Sequence, residues 1–294
     1  MGKRPGAKYA AVQRLNELMA DGKKRSDAKA EAAARGESLI AFTDGRMHAF
    51  ESRTNYQKIV MRFLNWCRDT QDVRDPARID ERADELASLY LTERVAKDYS
   101  AWTLQTERSA LRMFFQNRGL AESVELPLRK RENIKRSRRP AKRDKNINLA
   151  NWQHVIQFCL ACGLRREELR DLYVRDVYVR PSDQHLVVRV VKGKGGKWRE
   201  VKVFLGREQG VLSQVEGREH EPETHVFTRI SGLLDIHSFR RQFAQDLYEF
   251  LSGRPLPPLK GRLSSPDLDK DAALEVSHRL GHNRIDIIFG HYIR

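Results

Sequence analysis

Val155-Ile156-Gln157-Phe158-Cys159-Leu160-Ala161-Cys162-Gly163-Leu164-Arg165-Arg166-Glu167-Glu168-Leu169-Arg170-Asp171-Leu172 is the stretch on which the reading of the fold turns. Its first half is apolar and reads as a buried helix. Gly163 interrupts the run, and charged residues follow at once. A helix break of this kind lets the side chain of Arg165 face a cleft. Downstream, Leu186 to Val191 and Trp198 to Phe204 are β-rich runs around Gly193-Lys194-Gly195-Gly196, which is a hairpin signal with Lys194 at its tip. Ile236 to Leu251 is helical again. Residues 252–270 hold Pro255, Pro257, Pro258 and Pro266 and read as a surface loop. A last helix precedes Gly281. The expectation for residues 147–294 is an α+β domain, mainly helical, with a small antiparallel β-sheet or hairpin.

Upstream lies the clearest linker, residues 126–146, bounded by helix-breaking Pro127 and Pro140. It carries Arg129, Lys130, Arg131, Lys135, Arg136, Arg138, Arg139, Lys142, Arg143 and Lys145 against Glu132 and Asp144, a net +8. Charge this dense repels itself when unpaired and suits a strap lying on phosphates. Residues 39–125 read as a small helical domain. Tyr56, Ile59, Val60, Phe63, Leu64 and Cys67 recur in steps of mostly three and four, so one helix face is apolar. Leu86, Leu89 and Tyr90 open a second helix. Trp102 to Phe115 mark a third, with Gly119 as its expected stop. The aromatic side chains here read as core. Residues 1–38, rich in Ala, Lys, Arg and Glu, read as helix or as an arm that orders on a partner.

The whole chain has 294 residues and a net charge of +15, with 40% hydrophobic residues. That composition fills a core and excludes wholesale disorder. The length suggests two domains. The basic excess calls for an anionic partner, of which nucleic acid is the commonest. Three cysteines form no disulfide framework, which fits a reducing compartment. No apolar targeting segment or run of about 18 apolar residues is present, so the expected setting is the cytoplasm, in association with the nucleoid.

Familiar catalytic signatures are missing. Gly193 to Trp198 lacks the spacing of a nucleotide-phosphate loop, with Trp198 where the magnesium-holding hydroxyl would stand. Cys159 and Cys162 are a single pair on an apolar helix and read as core. His278 and His282 lack the intervening glutamate of a zinc-protease helix. No carboxylate cluster suited to two metal ions is evident. No cofactor and no metal is expected. What remains is cationic and imidazole groups with one late tyrosine: Arg165, Lys194, His237 and Arg240 three apart on one helix face, His282 after a helix end, and Tyr292.

In their order and spacing these groups resemble the tyrosine recombinase, or phage integrase, family. Gly163 to Leu169 reads GLRREEL, Gly193 to Gly195 reads GKG, His237 onward reads HSFRRQFA, Leu280 to His282 reads LGH, and Tyr292 follows. The likeness covers nearly the whole second domain. The resemblance implies a two-domain, C-shaped DNA clamp whose residues 39–125 form a helical core-DNA-binding, SAM-like domain and whose residues 147–294 form the catalytic domain. It implies site-specific cleavage and rejoining of double-stranded DNA through a covalent 3′-phosphotyrosyl intermediate, without metal or ATP, in integrating or excising a mobile element. Carried onto this chain, Tyr292 is the nucleophile, Arg165 and Arg240 clamp the phosphate, Lys194 is the general acid, His237 and His282 assist, and Glu168 steadies the pocket. A tetrameric synapse and accessory DNA-bending proteins come with the family. In relatives the tyrosine ordinarily lies one residue nearer to the LGH histidine, and here His291 holds that place. Only Ile293 and Arg294 follow Tyr292, so coupling between protomers is expected from residues 252–276 or from the N-terminal arm. Two alternatives stay open: a type IB topoisomerase-like enzyme that relaxes DNA without choosing a site, and a catalytically inactive DNA-binding relative.

The chemistry asks for these residue types in its own right. A phosphodiester under attack gathers negative charge on its non-bridging oxygens, and forked, permanently charged guanidiniums stabilise it. A phenol ordinarily titrates near 10 and needs neighbouring cations and a base. A covalent intermediate stores the bond energy, so rejoining needs no ATP.

Overall fold

The computed structural model describes residues 6–39, 42–130, 147–193, 198–258 and 268–293. The chain divides into two compact units, residues 1–130 and 131–294. Among the described residues no helix is long and apolar enough to cross a membrane.

The first unit is helical: α1 (Ala7–Glu17), α2 (Arg25–Ala34), α3 (Phe50–Gln71), α4 (Pro76–Glu81), α5 (Ala83–Ala96) and α6 (Ala101–Phe114). Helix α3 buries Ile59, Val60, Phe63, Leu64 and Cys67, the stripe its periodicity demands. Val60, Phe63, Leu64 and Cys67 pack with Leu15 of α1, Leu86, Tyr90 and Leu91 of α5, and Leu111 and Phe114 of α6. Phe63 meets Tyr90 and Phe115 edge to face, at 5.5 and 5.9 Å. Residues 1–38 therefore contribute helix α1 to this core, and α2 buries Ala28 and Ala32 against Phe42. Local chemistry sets the helix starts. Asp75 accepts a hydrogen bond from the Ala77 amide ahead of Pro76, and Ser100 accepts one from Thr103.

The stop of α6 differs from the sequence expectation. The helix ends at Phe114, well before Gly119. Gln116 takes the left-handed conformation at φ 51°. Its side-chain amide donates to the carbonyls of Met113, at 2.7 Å, and Gly45, at 3.1 Å. A side chain thus caps the carbonyl end, and no glycine is needed.

In the second unit, α7 (Gln153–Cys162) and α8 (Arg166–Arg170) flank the break at Gly163. A sheet follows, β1 (Val177–Val179), β2 (Leu186–Val190) and β3 (Arg199–Lys202), antiparallel in the order β1-β2-β3. Val188 pairs with Val177 on one side and Val201 on the other, so the apolar faces of β2 and β3 turn together onto α7. Helices α9 (Gln209–Leu212), α10 (Ile236–Ser252), α11 (Lys270–Leu280) and α12 (Ile285–His291) complete the unit. One core lies between α7 and the sheet, and a second joins α10, α11 and α12. Cys159 and Cys162 are buried free thiols of the first of these cores, and burial pushes Cys159 up to about 12.

Gly163 is what allows α10 to seat against α7. It adopts φ +61°, and a Cβ there would lie 2.3 Å from the Phe243 ring. The glycine supplies both the left-handed turn and the space for that ring.

Candidate active site

Four short segments of the second unit converge on one pocket. The break after α7 delivers Arg165 as the residue before α8. Glu168, one turn on, reaches back to accept a hydrogen bond from the Arg165 amide at 2.8 Å. This one-way bond to the Glu168 side chain fixes the start of α8. The first turn of α10 delivers His237 and Arg240 on one face. Gly281 at φ +68° ends α11 in a Schellman arrangement. The Gly281 amide donates to His278 and the His282 amide to Ser277. Ser277, fully buried, closes the same turn by donating to the Arg284 carbonyl and accepting from its amide. His282 is thereby held at the head of the segment that leads into α12. Tyr292 caps the end of that helix, with its carbonyl accepting from the buried Gln245 of α10 at 2.9 Å.

Arg240 is the floor of the pocket and is wholly buried. It donates to the carbonyls of Gly163 and Leu280, the latter at 2.6 Å, and through Nε to the Tyr292 hydroxyl at 3.1 Å. His282 Nε2 lies 3.0 Å from the same hydroxyl. The Tyr292 phenol is therefore held between a guanidinium and an imidazole, and only 3% of the residue is exposed. The His237 ring stands edge-on to it at 5.8 Å. Burial and the charges of Arg241 and Arg240 lower the titration point of His237, which favours a neutral ring. Arg165 is half-buried and shares the Leu280 carbonyl with Arg240, at 3.2 Å.

Glu168 is the acidic counterweight. Its Oε1 accepts from Arg165 Nη1 at 2.7 Å and from Arg199 Nη1 at 3.0 Å, and its Oε2 accepts from Arg199 Nη2 at 2.9 Å. Burial works to raise its carboxyl, but the hydrogen bonds and charge of Arg199, the Arg165 amide and the charge of Arg240 outweigh it. The group is held down at about 2.

Arg165, Glu168, His237, Arg240, His282 and Tyr292 thus come together from widely separated positions. Lys194 lies outside the described residues, and so do Arg131, Lys135, Arg136, Arg138, Arg139, Lys142 and Arg143. Arg129 and Lys130 are exposed at the end of the first unit. Sequence reasoning passed over Arg199 and Gln245, whose partners are distant in the chain. Among the described residues no group of three or more His, Cys, Asp or Glu side chains converges as a metal site would. Paired guanidiniums beside a phenol and an imidazole suit an oxyanion centre that must be stabilised while a proton moves.

Residues 45–118 match the family model of the phage integrase N-terminal SAM-like domain. No curated protein matches the sequence. Among solved structures, the XerH site-specific recombinase bound to palindromic difH substrate, in a post-cleavage complex, is similar over 97% of this chain and 91% of that chain. The TM-score is 0.53 and the identity 15%, a likeness of fold. A pre-cleavage complex of XerH with difH is similar over 95% and 90% of the two chains, at 15% identity and a TM-score of 0.49. The Tn1549 transposon integrase in complex with circular intermediate DNA is similar over 97% and 95%, at 13% identity and a TM-score of 0.49.

Proposed function

We propose that this chain, a tyrosine recombinase by its first-domain family and by its fold, cuts and rejoins double-stranded DNA at a chosen site through a bond between Tyr292 and a 3′-phosphate. One observation carries the reading. The Tyr292 hydroxyl lies within hydrogen-bond distance of both Arg240 and His282, and Arg165 stands beside them on a shared carbonyl.

The roles follow from the chemistry. The Tyr292 oxygen attacks phosphorus and its proton passes to the His282 ring. Arg165 and Arg240 stabilise the charge that gathers on the non-bridging oxygens. The bond from phosphorus to the 5′-oxygen breaks, and that oxygen takes a proton from Lys194 on the β2–β3 hairpin. His237, uncharged, donates or accepts a hydrogen bond at the phosphate. Attack by a free 5′-hydroxyl on the phosphotyrosine reverses each step and restores the DNA. The basic segment 126–146 runs along phosphates and tightens the hold on DNA without reading sequence. Protomers assemble on the DNA as a tetrameric synapse that moves a mobile element, with DNA-bending accessory proteins.

A duplex selected by binding from a random pool, then nicked so that cleavage cannot reverse, tests the reading on a denaturing gel. Wild-type protein gives a covalent protein–DNA band. Tyr292→Phe binds the same duplex and gives none. A covalent band from Tyr292→Phe, or none from wild type on any selected duplex, overturns the assignment. Relaxation of an arbitrary plasmid without site preference would point to a topoisomerase-like activity.

A further inference from the structure

Arg199 is the first residue of β3 and directly follows the exposed Trp198 of the hairpin. Its guanidinium lies in the pocket wall, with the side chain 12% exposed. Both Nη groups meet Glu168, at 3.0 and 2.9 Å, in a forked pair, and Nε donates to the Arg279 carbonyl at 3.2 Å. Arg199 also passes so close to Gly281 that a Cβ there would stand 3.0 Å from its Cδ and 3.1 Å from its Cζ. One side chain therefore spans the sheet, the acid of α8 and the turn that ends α11.

The arithmetic of acceptors gives this contact its meaning. A carboxylate offers about four lone-pair sites. On Glu168, Arg165 fills two of them, through its amide and Nη1, and Arg199 fills the other two. The charged groups that face Glu168 are Arg165 of the α7–α8 break, Arg199 of β3 and Arg240 of α10, whose Nη1 lies 4.0 Å away, with the Cys162 thiol of α7 nearby. Without Arg199, a buried carboxylate keeps half of its donors, and Arg165 is drawn toward it as the nearest remaining forked cation. The Leu280 carbonyl, which both Arg165 and Arg240 grip, belongs to the turn over which Arg199 lies.

Building on the proposed strand-cleavage reaction, we propose that Arg199 is a positioning residue: it saturates Glu168 and pins the Leu280–His282 turn, and so sets the pose of Arg165, Arg240 and His282 around the Tyr292 hydroxyl. It does not touch the phosphate. It also ties the start of β3 to α8 and to the turn that ends α11.

The test compares wild type, Arg199→Met, Arg199→Lys, Glu168→Gln and the Glu168→Gln/Arg199→Met double variant by single-turnover cleavage of the nicked duplex across pH. Unfolding in urea across the same pH range is measured in parallel. Arg199→Met is expected to cleave at least about tenfold more slowly, as displaced positioning groups do, while DNA affinity stays within about threefold. Its acid limb, in both cleavage and stability, moves to higher pH because Glu168 loses the cation that holds it ionised. Arg199→Lys keeps a charge without the fork and shows both effects in smaller degree. The double variant cleaves no more slowly than the slower single variant, since both changes act through one contact. Wild-type rate and an unmoved acid limb in both Arg199 variants overturn the proposal, as does full multiplication of the two single effects. If wild type itself forms no covalent band, the cleavage reading fails. The acid limb of unfolding then decides the Arg199–Glu168 coupling by itself, with an unmoved limb counting against it.

Discussion

Glu168 shows how much one buried residue carries here. Its four hydrogen bonds and three nearby guanidiniums hold its carboxyl at about 2, against an ordinary 4.5. Because the folded-state value is the lower one, its stabilisation is present above the ordinary value and fades as pH falls through the folded one. The contribution is on the order of 3 kcal/mol above about pH 5. Glu168→Gln, neutral at every pH, should therefore be less stable than wild type near neutrality, and the gap should close between about pH 4.5 and pH 2. Urea unfolding of both proteins across that range measures it, and a gap that stays constant or widens in acid would contradict it. The sequence order of arginine, histidine and tyrosine made Arg165, His237, Arg240, His282 and Tyr292 legible as candidates, and Glu168 came only with the family resemblance. Arg199 and Gln245 were not, because their partners lie 31 and 47 residues away and no local pattern announces either bond.

At the scale of elements, the pocket depends on breaks as much as on helices. The turn after α7 and the turn after α11 each rest on a left-handed glycine, with Arg165 two residues beyond the first and His282 directly beyond the second. Gly163→Ala should cost at least about 2 kcal/mol. An alanine there takes a strained backbone angle and drives a methyl into the Phe243 ring. Urea unfolding reads that cost, and a variant as stable as wild type would show that α10 is not seated through this gap. Strongly periodic segments such as α3 and α10 were legible from spacing. Strand β1 was not, since three residues carry too little alternation to register. The end of α6 was misread because a glutamine side chain performs the capping that a glycine usually performs.

For the whole molecule, the charge distribution makes the strongest statement. More than half of the +15 excess sits between residues 126 and 146, where the two units are joined. If that segment lies on phosphates, affinity for DNA should fall steeply with salt. Six contacts would give a log–log slope of about −5. Neutralising Arg136, Arg138, Arg139, Lys142 and Arg143 together should flatten the slope while the covalent adduct still forms. Fluorescence anisotropy over a range of salt concentrations provides the slopes, and equal slopes for both proteins would refute the strap. The division into a helical first unit and a mixed second unit was visible in composition and periodicity. The placing of the pocket wholly within the second unit follows from contacts between residues as far apart as 115 positions, which spacing alone does not reveal.

The central claim is that the phenol of Tyr292 is the group that bonds to DNA, although His291 stands beside it. Covalent protein–DNA complexes trapped on the nicked duplex, digested with protease and nuclease and sequenced by tandem mass spectrometry, would locate the nucleotide on one side chain. The mass of the residual nucleotide should map to Tyr292. Its appearance on His291, or on any other residue, would contradict the account.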